Sequence, residues 1–211
     1  MKLKTHFSAG AFFLILLAVL FPFAADMHIP LVHGKVVEWI ENGQAVWLLF
    51  GAIFTAFYIR PLSLENGSRQ FWLWAVVWWL VLFGRSTSWG RDYFPEEPRI
   101  LFRTISVLLI AALVLPVIFS SVLRNAIVFR LRTLRLPLWM SIIVVATFLI
   151  ADAVEHHRLL SPIFLHDLRY GELMEELYEN IFMIGLFIVC LDIMRNEKES
   201  LRRPPVTKME S

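Results

Sequence analysis

The chain has 211 residues, 58% of them hydrophobic, and a formal net charge of +2 at pH 7. A water-soluble domain contains about 45–50% apolar residues, so this composition excludes an ordinary soluble globule and indicates a protein that folds in lipid. Cys190 is the single cysteine, which excludes an internal disulfide and a Cys-x-x-Cys redox or zinc motif.

Six apolar stretches predict transmembrane helices, because a span of the bilayer needs about 20 mostly apolar residues. In chain order they cover Phe7–Ala25, Gln44–Ile59, Gln70–Arg85, Thr104–Leu123, Leu136–Glu155 and Glu172–Leu191. The predicted fold class is all-α, a polytopic membrane helix bundle with six transmembrane helices. We expect residues 1–195 to form one transmembrane domain and the polar residues 196–211 to form a disordered cytoplasmic tail.

Lysine and arginine residues predict the orientation of the spans, since the cytoplasmic loops of membrane proteins are enriched in them. With the N terminus placed in the cytoplasm, most basic residues fall on the cytoplasmic side, including the run from Arg124 to Arg135. The sequence therefore predicts a multi-pass protein of the bacterial inner membrane with both termini cytoplasmic. The basic run is expected to contact anionic headgroups, and membrane lipids rather than nucleic acid are the expected partners.

Polar residues cluster where the fifth predicted helix ends and the sixth begins. Asp152, Glu155 and His156 are spaced i, i+3, i+4 and share one helix face. The sixth helix carries a matching stripe of glutamates, Glu172, Glu175, Glu176 and Glu179. A short loop joins the two helices, so we expect them to be antiparallel neighbours. Exposing a carboxylate to lipid costs about 2.5–3.5 kcal/mol on insertion scales, so these side chains should face the bundle and have partners.

Three explanations of this polar cluster are open. Carboxylates and histidines on facing helices are typical of di-iron and di-manganese centres, so the first is a site for Fe, Mn, Zn or Cu. Its predicted ligands are Asp152, Glu155, His156, Glu172, Glu175, Glu176 and Glu179. The second explanation is a site for transported protons or cations. The third is purely structural, because acids stabilise the start of a helix and arginines can pair with them.

The stretch "FGRSTSWGRDYFPEEP" contributes candidate anion-binding residues on the same side. Arg85 and Arg91 in this stretch, with Arg103 in the next helix, are predicted to bind an anionic headgroup or a substrate phosphate. The alternative is a turn whose Trp89 and Tyr93 lie at the membrane interface while its arginines pair with the glutamates. The core "SWGR", preceded by "ENGQAVWLL", resembles a group of uncharacterised bacterial polytopic inner-membrane proteins. That resemblance covers the middle third of the chain and implies no activity.

These features lead to three functional hypotheses. The first is a metal-dependent enzyme that acts on a lipid or other amphipathic substrate near the outer leaflet. The second is a proton- or cation-coupled carrier or a channel component. The third is a non-catalytic scaffold subunit, either in a complex with another membrane protein or as a homo-oligomer.

Overall fold

The computed structural model describes residues 2–4, 7–59, 64–91, 93–133 and 135–202, and within these ranges the chain is almost entirely α-helical. The helices are α1 (Ala9–Leu20), α2 (Phe23–Asp26), α3 (Lys35–Ile59), α4 (Asn66–Ser86), α5 (Arg99–Phe119), α6 (Ser121–Thr133), α7 (Leu138–Glu155), α8 (Ser161–Phe164) and α9 (Gly171–Arg202). Two three-residue strands, β1 (Lys2–Lys4) and β2 (Arg135–Pro137), pair in parallel. The predicted all-α class is confirmed.

Four helices among the described residues are long and apolar enough to cross a membrane, namely α3, α5, α7 and α9. Each predicted span contains a helix, but α1 is only 12 residues long. The 21-residue α4 is not one of the four. Its polar first turns and its tryptophans, which prefer the membrane interface, explain its weaker apolar character.

The helices run up and down between two ends of the bundle. We call the end where α1 begins and α9 finishes the proximal end, and the opposite one the distal end. At the distal end, His166 Nδ1 lies 2.9 Å from Asp26 Oδ2, and Gln44 of α3 bonds Glu176 of α9. At the proximal end, β1 before α1 pairs with β2 before α7. The C-terminal ends of α4 and α7 and the N-terminal ends of α3, α5 and α9 therefore lie at the distal end.

A hydrophobic core forms where α3 and α4 pack against α9. Leu48, Trp79 and Phe187 are buried at its centre. Gly51 allows this close approach, because a Cβ atom there would lie 2.9 Å from Cδ2 of the Trp79 indole. A side chain at that position would push α4 away from α3, so the small residue sets the spacing of the two helices.

A buried polar network links α4, α6 and α9 at the proximal end. The Arg130 side chain of α6 donates from Nη2 to Glu197 Oε1 of α9 at 2.7 Å and to Ser68 Oγ of α4 at 3.0 Å. The second Glu197 oxygen accepts a hydrogen bond from Trp72 Nε1. The guanidinium also lies 4.1 Å from the centre of the Phe71 ring. One ion pair thus joins three helices.

The predicted disordered tail needs correction at its start. The structure continues α9 through residues 196–202, beyond the predicted boundary at Asn196. The Asn196 amide donates to the Asp192 carbonyl oxygen at 2.7 Å, and Glu197 belongs to the proximal network. A local hydrogen bond and the tertiary contacts of Glu197 hold a polar segment helical, whereas its composition alone indicates disorder. Residues 203–211 of the predicted tail lie outside the described residues.

Candidate functional site

The glutamates of α9 meet partners from different helices at the distal end. Gln44, buried on α3, donates from Nε2 to Glu176 Oε2 at 2.6 Å and to the Glu176 carbonyl oxygen at 3.1 Å. Glu179 Oε1 lies 3.9 Å from Nη2 of Arg85, in the last turn of α4. The predicted stripe therefore divides, with Glu176 partnered by α3 and Glu179 facing α4.

The polar residues of α7 also divide into two groups. Glu155 lies close enough for its charge to act on Glu175 and Glu179 of α9. Asp152 instead pairs with Arg158, at 2.5 Å between Oδ2 and Nη1, and its Oδ1 lies 3.6 Å from His156 Nδ1. His156 is exposed at the end of the helix. Asp152 and His156 therefore belong to a paired helix end, and Glu155, whose Oε2 also lies 3.6 Å from His156 Nδ1, connects that end with the glutamates.

This division bears on the predicted metal ligands. Throughout the described ranges, no group of three or more His, Cys, Asp or Glu side chains converges as a metal site. Glu176, Glu179 and Asp152 are directed to Gln44, Arg85 and Arg158 respectively. Three of the predicted ligands thus have other polar partners, and metal binding stays a prediction from the sequence.

Arginines surround a cavity of about 570 Å³ at the same end. Its lining consists of Arg85, Ser88, Trp89, Arg91, Arg99, Phe102, Arg103 and Ser106, which we call the arginine pocket. All three predicted substrate-binding residues belong to it. Arg99, Ser88 and Ser106 were not among the predicted substrate-binding residues. The i, i+4, i+7 spacing of Arg99, Arg103 and Ser106 places them on one face of α5, a signal that was present in the sequence.

A tight turn after α4 builds one wall of the arginine pocket. Three successive residues have positive φ angles, 46° at Ser88, 62° at Trp89 and 100° at Gly90. Such angles are strained for residues other than glycine and persist only where surrounding contacts hold them. Gly84 provides the main contact, since a Cβ atom there would lie 2.6 Å from Cε3 of the Trp89 ring. The Tyr93 hydroxyl, 2.6 Å from Asn42 Oδ1 of α3, anchors the segment that follows.

Arg85, Arg91, Arg99 and Arg103 give the pocket lining a positive charge. Of the acidic side chains that the structure describes, none lies within salt-bridge distance of Arg91, Arg99 or Arg103. Arg85 is the exception, facing Glu179 across 3.9 Å. Among the described residues, Arg85 thus fits the alternative that these arginines pair with the glutamates. Arg91, Arg99 and Arg103 are exposed.

An apolar surface adjoins this pocket along α5. Ile100, Val107 and Leu108 expose 73%, 63% and 63% of their area, and α5 is the least buried of the four long apolar helices. Such a surface is suited to lipid chains. The arginine pocket thus lies at the head of a helix whose outer face is suited to hydrocarbon.

Other side chains at the distal end hold loops in place. The Tyr170 hydroxyl donates to the Ile29 carbonyl oxygen at 3.0 Å, which fixes the loop after α2 to the start of α9. Hydrogen bonds from Arg169 lower the pKa of the Asp167 carboxyl. These contacts give the loops structural partners, and none of these residues lines the arginine pocket.

No family model matches the sequence, and neither a curated protein nor a solved structure matches the chain. The class of the protein therefore rests on its own features. Four helices long and apolar enough to cross a membrane place the chain among α-helical membrane proteins. Its distinguishing feature is the distal site, in which an arginine pocket adjoins a group of carboxylates through Arg85.

Proposed function

We propose that the protein binds an anionic, phosphate-bearing lipid through the arginine pocket. The observation that carries this proposal is the lining of one cavity by four arginines, three of which have no acidic partner among the described residues. Guanidinium groups match phosphate oxygens with paired, charge-assisted hydrogen bonds. The Ser88 hydroxyl adds a further polar group to the same cavity, whereas the Ser106 hydroxyl donates to the Arg103 carbonyl oxygen at 2.8 Å.

A lipid suits the site better than a soluble phosphate compound. The exposed apolar surface formed by Ile100, Val107 and Leu108 begins beside the pocket. A headgroup held by the arginines would leave its acyl chains along this surface, where they replace membrane hydrocarbon. Trp89 and Phe102 supply apolar walls for the part of the ligand between headgroup and chains.

The proposal includes the topology of the chain. We place six spans in a bacterial inner membrane, with the proximal end and both termini in the cytoplasm and the arginine pocket near the outer leaflet. Two observations support this. The N-terminal strand and the end of α9 lie at the same end of the bundle, which requires an even number of crossings. The proximal α6 also carries Arg124, Arg130 and Arg132, in agreement with the enrichment of basic residues on the cytoplasmic side.

Accessibility labelling tests the topology. Leu159 is 98% exposed at the distal end, and Glu199 is exposed near the proximal end. In a Cys190→Ala background, Leu159→Cys should react with an impermeant maleimide added to intact cells. Glu199→Cys should react only after the membrane is opened. Labelling of both positions from outside, or of neither, would contradict the proposed orientation.

Lipid binding is tested with purified protein in nanodiscs of phosphatidylcholine containing phosphatidylglycerol. We expect native mass spectrometry to detect retained phosphatidylglycerol on the wild type and much less on the double variant Arg99→Gln/Arg103→Gln. Arg169→Gln is the matched control, because this exposed distal arginine is paired with Asp167 outside the pocket. A parallel measurement with inorganic phosphate distinguishes a lipid from a soluble anion. Equal lipid retention by all variants would refute the proposal.

The other predicted roles have less support from the geometry. A metal-dependent reaction on such a lipid lacks a converging set of ligands among the described residues. A scaffold role would be favoured by a stoichiometric membrane-protein partner or by a homo-oligomer in purified material. Both stay predictions, and neither is required for lipid binding.

A further inference from the structure

A second cavity, of about 480 Å³, lies between α1 and α7. Ile15 and Val19 of α1 line one side, and Ile142 and Ala146 of α7 line the other. Val19 and Ile142 expose 59% and 47% of their area, so the cavity is an open groove and not an enclosed void. We call it the α1–α7 groove. It shares no lining residue with the arginine pocket.

Tyr178 of α9 holds the floor of the α1–α7 groove in place. Pro22, just after α1, has no backbone N–H to bond the Ala18 carbonyl oxygen four residues earlier, and the Tyr178 hydroxyl donates to that oxygen at 2.8 Å. The fully buried Tyr178 ring also meets the Phe21 and Phe164 rings edge-on, at 5.8 and 5.7 Å between centroids. Because these contacts fix α1 and α8 against α9, the groove is a preformed part of the fold.

The walls of the α1–α7 groove are suited to a hydrocarbon chain. The lining along α7 runs from Trp139 to Ile150, about 16 Å at 1.5 Å per residue. The Thr147 hydroxyl within it donates to the Ile143 carbonyl oxygen at 2.8 Å. One leaflet of a bilayer contains about 15 Å of hydrocarbon, half of about 30 Å. Since α7 is long and apolar enough to cross a membrane, the groove matches the length of one acyl chain.

The distal mouth of the groove is polar. His166, in the loop before α9, lines the groove, and its Nδ1 lies 2.9 Å from Asp26 Oδ2. The Phe23 ring meets the imidazole edge-on at 5.8 Å between centroids. When Nδ1–H donates to the carboxylate, Nε2 of the neutral imidazole is an acceptor. The mouth therefore presents hydrogen-bond acceptors and a negative charge.

The Asp26 charge distinguishes this mouth from the arginine pocket. Of the lysine and arginine side chains that the structure describes, none lies within salt-bridge distance of Asp26, whose side chain is 54% exposed. An ammonium group carries the opposite charge and supplies N–H donors to the carboxylate and the imidazole. Charge complementarity thus favours a lipid whose headgroup carries an amine.

We propose that the α1–α7 groove binds one acyl chain of a zwitterionic, amine-bearing phospholipid, with the ammonium group at Asp26 and His166. This site is additional to the proposed function and does not depend on it, because the two cavities have no lining residue in common. The protein would hold an anionic lipid beside α5 and an amine-bearing lipid beside α7, each selected by the charge at the distal end.

Phosphatidylethanolamine in phosphatidylcholine nanodiscs is the probe for the groove. The quaternary ammonium of the matrix lipid has no N–H to donate. N-acetylated phosphatidylethanolamine with the same chains is the comparison lipid, because acetylation removes the positive charge of the amine. We expect native mass spectrometry of the full-length wild type to detect more retained phosphatidylethanolamine than N-acetylated lipid.

Variants that fill the groove test where the lipid is held. Ala146→Phe fills it from α7 and should remove most of the retained phosphatidylethanolamine. Val19→Trp fills it from α1 and should do the same, so the test does not depend on the folding of one variant. Val145→Phe is the matched control, because the neighbouring Val145 is 58% exposed and does not line the groove. Circular dichroism and elution volume establish that each variant is folded.

A substitution at the mouth tests the recognition of the amine. Asp26→Asn removes the charge and should lower the retention of phosphatidylethanolamine about two- to fivefold, the range expected of an exposed ion pair. Arg99→Gln/Arg103→Gln should retain phosphatidylethanolamine like the wild type, which separates this site from the arginine pocket.

The outcomes that would overturn the proposal are specific. Equal retention of phosphatidylethanolamine by the wild type and by both folded groove-filling variants would overturn the site. Equal retention of the amine and its N-acetylated form, unchanged by Asp26→Asn, would overturn the recognition of the ammonium group. A dimer that Ala146→Phe dissociates would show that a second copy of the chain covers the groove instead of a lipid.

Discussion

Removal of the Glu197 carboxylate should destabilise the proximal end far more than removal of an ordinary surface charge. Glu197→Ala leaves Arg130, which is only 8% exposed, without the partner that lies 2.7 Å from its Nη2. Breaking a buried ion pair by removing one partner costs about 3–5 kcal/mol. Burial lowers the pKa of the Arg130 guanidinium and Glu197 opposes that shift, so the variant leaves a buried charge without its counter-charge.

The remaining contacts change this estimate only slightly. Trp72 Nε1 loses its acceptor, and an unsatisfied buried donor costs about 1–3 kcal/mol. Ser68 and the Phe71 ring still contact the guanidinium, and a cation–π contact of this kind contributes about 0.5–1 kcal/mol. These changes oppose each other, so we expect a loss of about 3–5 kcal/mol in the free energy of unfolding.

Denaturant unfolding in detergent, followed by circular dichroism, measures this loss. Glu197→Gln should fall between the wild type and Glu197→Ala, because an amide oxygen can still accept from Trp72 without supplying charge. Glu199→Ala is the matched control on an exposed turn of α9, with an expected change within about 0.5 kcal/mol. A loss below about 1 kcal/mol for Glu197→Ala would refute the reasoning, since that is the size expected of an exposed pair.

Three further predictions concern the distal end. Gly84→Ala places a methyl group 2.6 Å from the Trp89 ring, so it should displace the pocket wall and weaken lipid retention in nanodiscs. Gly43→Ala is the control and should retain wild-type binding, because a methyl group there meets open space. Gln44→Leu leaves the Glu176 carboxylate without its side-chain donor from α3. This variant should lower the free energy of unfolding by about 1–3 kcal/mol. An unchanged denaturation midpoint would contradict a stabilising role of the Gln44–Glu176 hydrogen bond. Elemental analysis of purified protein should find less than one equivalent of Fe, Mn, Zn or Cu, because Glu176, Glu179 and Asp152 are directed to Gln44, Arg85 and Arg158. A stoichiometric metal that Glu176→Ala removes would instead support the metal-site hypothesis.

The local sequence predicted the helical segments well because apolar length is a local property. All six predicted segments contain helices, and the short loop before α9 correctly predicted that α7 and α9 are neighbours. Helix boundaries were less predictable. The start of α3 at Lys35 precedes the predicted boundary at Gln44, because the polar first turns of the helix do not carry the apolar signal.

Partners between helices were not predictable, since they depend on how the helices rotate about their axes. The i, i+3, i+4 spacing placed Asp152, Glu155 and His156 on one face of the helix. It could not show that Asp152 forms an ion pair with Arg158. The same holds for Gln44, a polar residue inside an apolar helix whose role depends on Glu176, 132 residues away.

The sequence by itself determined that this protein is suited to a membrane and that it is helical, because these properties depend on composition and on the spacing of residues along one helix. Tertiary structure decided which charges meet. Packing directed Glu176 towards Gln44 and Glu179 towards Arg85, gathered four arginines from two helices and a turn around one cavity, and held the segment after Asn196 helical through Arg130. The physical reason is that a charge in a low-dielectric surrounding requires a partner, and only the packed bundle determines which partner lies within reach.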